Sequence, residues 1–509
     1  MHRDLTDLDE KEISCDICII GSGPAGLAVA SKLIDEDINF VIIESGDLNP
    51  GKKHQELNKG YSKGKRKLDL ANSRLRCFGG AGKLWAGVCR PFDPSEFEIL
   101  DSKNGGWPIT YSDLEKYYRE AANILGLNYE KFFNEDWRTE AELAQRFPSF
   151  AQNDGILSGK DYQQASFKNR DLTNLYKDTL FDSKNSKVIT NATVVDIVQS
   201  TNELVEKIIM KSISGKIVTL TANTFVLCAG AIENPRILLD SSLNQKIKEN
   251  KFLGSCFMSH PAFTGAGSLI LNDSSIIPKI KNKNLKGNFG FEMNLNERKK
   301  SAILRHNISI KASLTSSLKD NELDQFSIIK DNFSKLSSFA NRVKRKIFGG
   351  QFKVKKWNLD IAIEQEPRLE NYLKLSRSKD ILGMRKVEMF WDTVSDMEKK
   401  TVLEAVKAVG RETMLNDMGI SKVSNDLINK KIFNQDDAIN HHIGTTRMAD
   451  SQKRGIVDYN LKCFTLNNLY ISGSSVFPTS SIVNPTFTII ALSLRLGEHI
   501  SNQSKPQEI

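Results

Sequence analysis

The chain has 509 residues, 39% hydrophobic and 26% charged, with a formal net charge of +9. That length predicts two domains rather than one core, and the ordinary composition excludes a disordered or fibrous chain. The positive excess lies largely in clustered lysines, so no nucleic-acid partner is expected; no window of 18 apolar residues is present to cross a membrane.

The first residues, MHRDLTDLDEKE, are charged and lack an apolar run, so no signal peptide is expected. Seven cysteines, an odd number, argue against a disulfide framework. Cys15 and Cys18 have a C-x-x-C spacing, but they fall in and just before a strand pattern, where a redox pair is not expected. These features fit a cytoplasmic protein.

The apolar run Ile17 to Ile20 reads as a buried strand, and Gly21, Gly23 and Gly26 follow at the G-x-G-x-x-G spacing. Gly21 suits a tight turn, Gly23 a close approach of backbone to pyrophosphate, and Gly26 close packing of helix on strand. Pro24 and Ala25 open the helix, whose free N–H groups and positive end suit phosphate. A second apolar run, Phe40 to Ile43, ends in Glu44. That acid stands about 20 residues beyond the glycines, where a carboxylate can hold both ribose hydroxyls. The unit predicts a dinucleotide site.

A lysine-bearing polar stretch then runs to about Asn72 and reads as a surface excursion. The segment from Ser73 to Gly87 holds Gly79, Gly80, Gly82 and Gly87 among small residues, which implies backbone close to something bulky. Trp85 suits the covering of an aromatic ligand. A helix is predicted from about Tyr111, with Leu114, Tyr117, Tyr118 and Ala121 on one face and Thr110 or Ser112 as cap. Residues 130–185 show weak periodicity and read as an insertion. Val188 to Val198 is strand-like, and Lys207–Lys211 with Ile217–Leu220 forms a hairpin around Ser214-Gly215. Thr224 to Ala231 is a buried strand, followed by a helix with Pro235 in its first turn.

From about 262 to 430 the pattern changes. Strands are expected at Ser309–Leu314, Leu359–Glu364, Tyr372–Ser376 and Val387–Trp391, and a helix at Asp396–Leu415. The stretch 320–348 reads as an amphipathic helix with a basic end, and the basic segment 340–356 as a surface excursion able to touch anionic lipid. The last 80 residues carry His441-His442-Ile443-Gly444-Thr445, a strand ending in Gly473, and Asn484-Pro485-Thr486 opening an apolar helix from Phe487 to Ile500.

Four of these stretches, in this order, resemble the glucose–methanol–choline (GMC) oxidoreductases: GSGPAG with Glu44, GGAGKLW, CAGAIENPRILL, and His441-x-x-Gly444-Thr445 with Asn484-Pro485-Thr486. The similarity spans roughly residues 14–120, 185–262 and 360–505. It implies an α/β protein with a Rossmann-type FAD-binding domain in discontinuous segments and an α+β substrate domain with an antiparallel sheet. The expected division is 1–100, 186–261 and 431–509 for FAD, 101–185 as an insertion, and 262–430 for substrate. It further implies FAD contacts from Ser45, Lys83, Leu84, Val194, Ala229, Gly230, Gly473, Asn484, Pro485 and Thr486, beside the residues already named. In pyranose oxidases a His just before the Trp carries the flavin covalently. Leu84 stands there, so non-covalent FAD is expected.

The resemblance implies oxidation of an alcohol carbon by hydride transfer to flavin, with His441 as base and Asn484 as its partner. A neutral imidazole of pKa near 6–7 is the natural acceptor for the hydroxyl proton. An Asn before Pro-Thr looks most like the pyranose-oxidase and sugar-dehydrogenase branch, so a sugar, glycoside or polyol is the expected substrate. Gln365 and Glu366 are candidate substrate contacts, while His260 and His442 read as structural. The alternatives are an aliphatic or sterol-like alcohol as substrate, or a lyase with structural FAD. No metal site is read, and the electron acceptor is left open.

Overall fold

A computed structural model of the protein describes residues 1–34, 36–98, 106–133, 155–160, 162–200, 203–271, 290–312, 356–392, 394–434 and 438–504. The amphipathic stretch 320–348 and the basic segment 340–356 lie outside these residues, save the backbone of Lys356.

The strand Glu12–Ile20 is the centre of an eight-stranded sheet. It pairs in parallel with Phe40–Ile43 on one side and Ile217–Leu227 on the other. The helix Pro24–Ser31 makes the crossover between the first two. Its residues Ala25 to Ala30 are buried all round, as a parallel sheet covered on both faces demands. Ser186–Thr190 and His2–Asp4 extend the sheet beyond Phe40–Ile43, and Leu469–Ile471 pairs with the end of Ile217–Leu227. The C-terminal helix Thr486–Ser504 crosses Pro24–Ser31 so closely that a Cβ at Gly497 would lie 2.8 Å from the carbonyl oxygen of Val29.

The hairpin is present as Val205–Lys211 on Ile217–Leu227, with Gly215 at φ +97° in its turn. Its second strand does not stop at Leu220. It continues to Leu227, because residues beyond the hairpin find a new partner in Glu12–Ile20. The strand-like run 188–198 is two strands, Ser186–Thr190 and Thr193–Gln199, which break at Asn191 with φ +54°.

A second sheet of seven strands is antiparallel throughout, with Met258–Leu271 against Lys356–Ile363, then His306–Ala312, Gly290–Met293 and Leu157–Lys160. Leu157–Lys160 comes from the stretch read as an insertion, yet it closes this sheet's edge. Gly419–Val423 and Ala438–Ile443 both pair with Met258–Leu271. The helix Asp396–Leu415 begins in a capping box of Ser395 and Glu398. It lays Val402, Ala405, Val406 and Val409 on Phe263, Leu269, Leu359 and Ile361 to form a second core. Tyr372–Lys379 and Arg385–Phe390 form a smaller sheet with Tyr61–Ser62.

The second sheet is also tied by charge to a loop outside it. Buried Arg305 pairs with Asp93 (2.6 Å), Glu292 (2.7 Å) and Glu96. Asp93 and Glu96 belong to the loop after Val88–Cys89, so this guanidinium clamps that loop to the second sheet. All seven cysteines are free and buried, and burial pushes Cys15 up to about 12, which leaves its thiol inert. No helix among the described residues is long and apolar enough to cross a membrane.

Candidate active site

Three parallel strands, Glu12–Ile20, Ile217–Leu227 and Leu469–Ile471, end side by side. Each runs into a glycine with positive φ: Gly21 at +106°, Gly230 at +85° and Gly473 at +108°. Ligands of open α/β sheets bind at such carboxyl ends. The turns also pack on one another. A Cβ on Gly21 would lie 2.7 Å from the Cys228 carbonyl oxygen, and one on Gly473 would lie 3.8 Å from the Ala25 Cβ. A Cβ on Gly26 would lie only 1.9 Å from the Gly21 carbonyl oxygen, so the helix can seat here only with glycine. Around a Cβ on Gly23, and around one on Gly230, nothing stands within 4 Å. Open space above a helix N-terminus, at the glycine assigned to the pyrophosphate, fits a dinucleotide.

The GGAG segment lies directly over this turn. A Cβ on Gly80 would sit 3.3 Å from the Gly23 Cα, and one on Gly82 would meet Pro24 at 2.9 Å. Gly79 N donates to the Ser22 hydroxyl at 3.2 Å. Glu44 is buried; its Oε2 accepts from Ser22 N (3.2 Å) and the Ser22 hydroxyl (2.5 Å), and Oε1 from Gly46 N (2.7 Å). A carboxylate has about four lone-pair sites, so three bonds leave room for another donor. Ser45 accepts from Arg76 Nη1 at 2.7 Å and lies 2.6 Å from the Thr193 hydroxyl, which brings the buried Val194 beside this corner.

Two residues of the GGAGKLW segment, Lys83 and Trp85, are held by neighbours of their own, and a third, Leu84, faces outward. Lys83 turns to Asp171 (3.7 Å) and Thr173 (3.4 Å), not to the glycine turn. Leu84 is 61% exposed. The Trp85 indole N–H donates to the Arg170 carbonyl at 2.7 Å.

The helix after Ala229 starts earlier than its sequence suggests. It spans Gly230–Asp240, so Pro235 lies inside it. A proline there leaves the carbonyl four residues back without its helical donor. That carbonyl belongs to Ala231, and the Thr445 hydroxyl donates to it at 2.7 Å. The His-x-x-Gly-Thr motif thus completes the helix of CAGAIENP. Residues 444–448 then run beside 474–476, with Gly444 N on Ser474 O (3.0 Å) and Thr446 N on Ser475 O (2.9 Å).

His441 lies on the strand Ala438–Ile443, paired with Met258–Leu271. His260 pairs with position 439 and Met258 with Ile443, so the register shifts between them, and His441 lies in that shifted stretch, where its ring meets that of His260. Their Nδ1 atoms are 2.9 Å apart, with the rings at 88°. His260 Nε2 lies 3.2 Å from the Ser480 carbonyl oxygen. Burial, then the nearby His260 and His442, hold His441 well below the usual histidine range, although part of its surface stays accessible. Burial lowers His260 to about 4 against the pull of the Ser480 and Ser481 carbonyls. His442 points elsewhere, toward Phe257, and burial followed by Arg74 lowers it to about 3.

Gln365 and Glu366 part company. Gln365 is fully buried beside the same loop: its N–H donates to the Ser480 hydroxyl (3.0 Å), and its Oε1 accepts from Ser259 N (3.0 Å) and the Trp391 indole (3.1 Å). Its Nε2 is buried without a partner among the described residues. The Glu366 backbone N–H is bound to Glu398 instead. Asn484 donates from Nδ2 to the Val88 carbonyl at 3.0 Å, and Pro485 and Thr486 stand at the start of the last helix. His260 is the residue that sequence reasoning set aside. Nothing local in Ser259-His260-Pro261 marks it; only strand pairing brings it to His441.

Comparison with known proteins agrees with this arrangement. The GMC oxidoreductase family matches residues 367–493, and the FAD dependent oxidoreductase family matches residues 16–248. Fructose dehydrogenase large subunit from Gluconobacter japonicus is 21% identical over 98% of this chain and all of its own length. A 6'''-hydroxyparomomycin C oxidase from Streptomyces lividus is 28% identical over 25% of this chain and 26% of its own. Among solved structures, formate oxidase superposes with a TM-score of 0.59 at 13% identity, covering 97% of this chain and 99% of that one. Pyridoxine 4-oxidase from Mesorbium loti gives 0.55 at 13% identity over 96% and 99%. Those two likenesses are of fold. The family matches to residues 16–248 and 367–493, the glycine cradle with Glu44 and the full-length relative make the chain similar to the GMC oxidoreductases and mark it as an FAD-dependent oxidoreductase acting on CH–OH donors.

Proposed function

We propose that this enzyme oxidises a secondary alcohol of a sugar, glycoside or polyol, with His441 accepting the hydroxyl proton and Asn484 orienting the hydroxyl. The observation that carries the reading is the His441 ring: neutral, partly accessible, and held where the second sheet meets the Ser480–Thr486 stretch. Bound FAD supplies the hydride acceptor. The protein's own work is to hold the substrate carbon in line and to remove a proton as the carbonyl forms. Gln365, with a buried Nε2 unpartnered among the described residues, is positioned to donate to a second substrate oxygen; Glu366 beside it remains a candidate contact. The full-length relative that acts on fructose supports the sugar class. Anaerobic mixing with sugars, glycosides, polyols and alkanols tests the reading. Flavin bleaching by sugars or polyols is expected. Bleaching by alkanols alone, or by no alcohol, overturns it, and cleavage of hydroxynitriles without bleaching points to a lyase.

FAD is held without a covalent bond in this reading, because Leu84 offers no nucleophile at the attachment place. Acid or heat should release all the flavin from the polypeptide; flavin that stays with the denatured chain contradicts this. Glu44→Ala should weaken FAD binding by about 1.5–3 kcal/mol, the scale of two charge-assisted hydrogen bonds. Unchanged affinity in a flavin titration of the variant means the ribose is held elsewhere.

A further inference from the structure

We infer that His260 is a positioning residue: it fixes the tautomer of His441, so that the proton of the neutral ring sits on Nδ1 and Nε2 is left bare to accept. This rests on the reading of His441 as base and deepens it. The argument starts at the far end of the chain of bonds. A backbone carbonyl only accepts, so the Ser480 oxygen, 3.2 Å from His260 Nε2, requires a proton on that nitrogen. A neutral His260 then has a lone pair on Nδ1. The facing atom, 2.9 Å away, is His441 Nδ1, and two lone pairs at that distance repel. His441 must therefore donate, with its single proton on Nδ1. The opposite arrangement would set the bare Nε2 of His260 against the Ser480 oxygen. The edge-on ring geometry, 88° between planes, lets one N–H point along the lone pair of the other ring. Burial of both rings keeps both neutral, so neither is a cation with protons on both nitrogens.

The test labels the imidazole nitrogens of the seven histidines with 15N in the holoenzyme and assigns His441 by the signal lost in His441→Gln. The expected spectrum shows His441 protonated on Nδ1 and bare on Nε2. A proton on Nε2 in the wild type overturns the proposal, and this needs no variant of His260. Two variants add kinetics. In His260→Asn the amide oxygen stands near the lost Nδ1 and still accepts, so the His441 tautomer and the rate of flavin reduction should be largely kept. In His260→Leu the acceptor is gone; the tautomer should mix and reduction should slow by about tenfold or more, with FAD content unchanged. Equal rates in the two variants, or an unchanged tautomer in His260→Leu, refutes the positioning role. If Nδ1 is protonated but His441→Ala reduces flavin at the wild-type rate, the base assignment falls and the tautomer assignment stands.

Discussion

Replacing His441 with alanine should slow flavin reduction by about 100-fold or more, the usual scale for a positioned proton acceptor. FAD binding should change little, because Gly21, Gly23, Gly26 and Glu44 build the cradle from other elements. Asn484→Ala should cost less, since an orienting amide removes no proton. The pH profile separates this from a general loss of structure. On sequence alone the rate should rise through a pKa near 6.5, that of an ordinary histidine. The structure moves that rise down, because burial holds His441 well below this range. Reduction in the wild type should therefore already be level across the neutral range. Stopped-flow rates from pH 8 downward check both points. A wild-type rate in His441→Ala, or a clear rise centred near neutrality, contradicts the assignment as the structure shapes it. If His442→Ala abolishes reduction instead, the roles of the two histidines must be exchanged.

The second large effect is acid lability. Four histidines resist protonation in the fold, His260 and His306 buried and His441 and His442 half-buried: His260 and His306 at about 4, His442 at about 3 and His441 well below its ordinary value. For His306 the cause is burial, and its bonds fit a neutral ring, with Nδ1 on the Leu304 carbonyl (3.1 Å) and Nε2 accepting from Met293 N (3.1 Å), a bond that a second proton would break. In the unfolded chain all four titrate near 6.5. Below that pH the unfolded state binds more protons than the folded state, so stability falls as pH falls. For His260 and His306 the full loss is about 3 kcal/mol each by pH 4. Three carboxyls work the other way, and burial raises two of them, Glu96 and Glu398. Burial, then Glu96, raises Glu364 to about 7, so its proton uptake favours the fold as pH drops to its unfolded value. Against these carboxyls stand the four imidazoles together with Glu233 and Glu292, whose arginine partners hold them low, and a net loss of several kcal/mol is expected between pH 6.5 and 4. Denaturant midpoints of the holoenzyme across this window measure it. A flat or rising profile would mean that these rings are not buried neutral.

Several features were legible before any coordinates because their causes are local. The glycines at 21, 23 and 26 are demanded by contacts within one strand–turn–helix unit, and Glu44 by the end of the next strand. The helix Asp396–Leu415 follows from a capping box and an apolar face, both confined to a few turns. Alternation alone marked strands of the second sheet near 309–312 and 359–363, although its edge strand Leu157–Lys160 went unread, since four residues carry too little pattern.

What tertiary structure decided involves partners far apart in the chain. His260 and His441 are 181 positions apart, and each was a lone ring until two antiparallel strands brought them together. Gln365 and Glu366 were equal candidates, and only the tertiary contacts of the Gln365 amide oxygen with Ser259 N and the Trp391 indole single it out. Pro235 was read as a helix start because only a distant hydroxyl, that of Thr445, could supply the donor it lacks. The local spacing of Gly21, Gly23 and Gly26 with Glu44 pointed to a dinucleotide; long-range strand pairing brought His260 to His441, and the tautomer of such a ring depends on the partner across the gap and not on the residue itself.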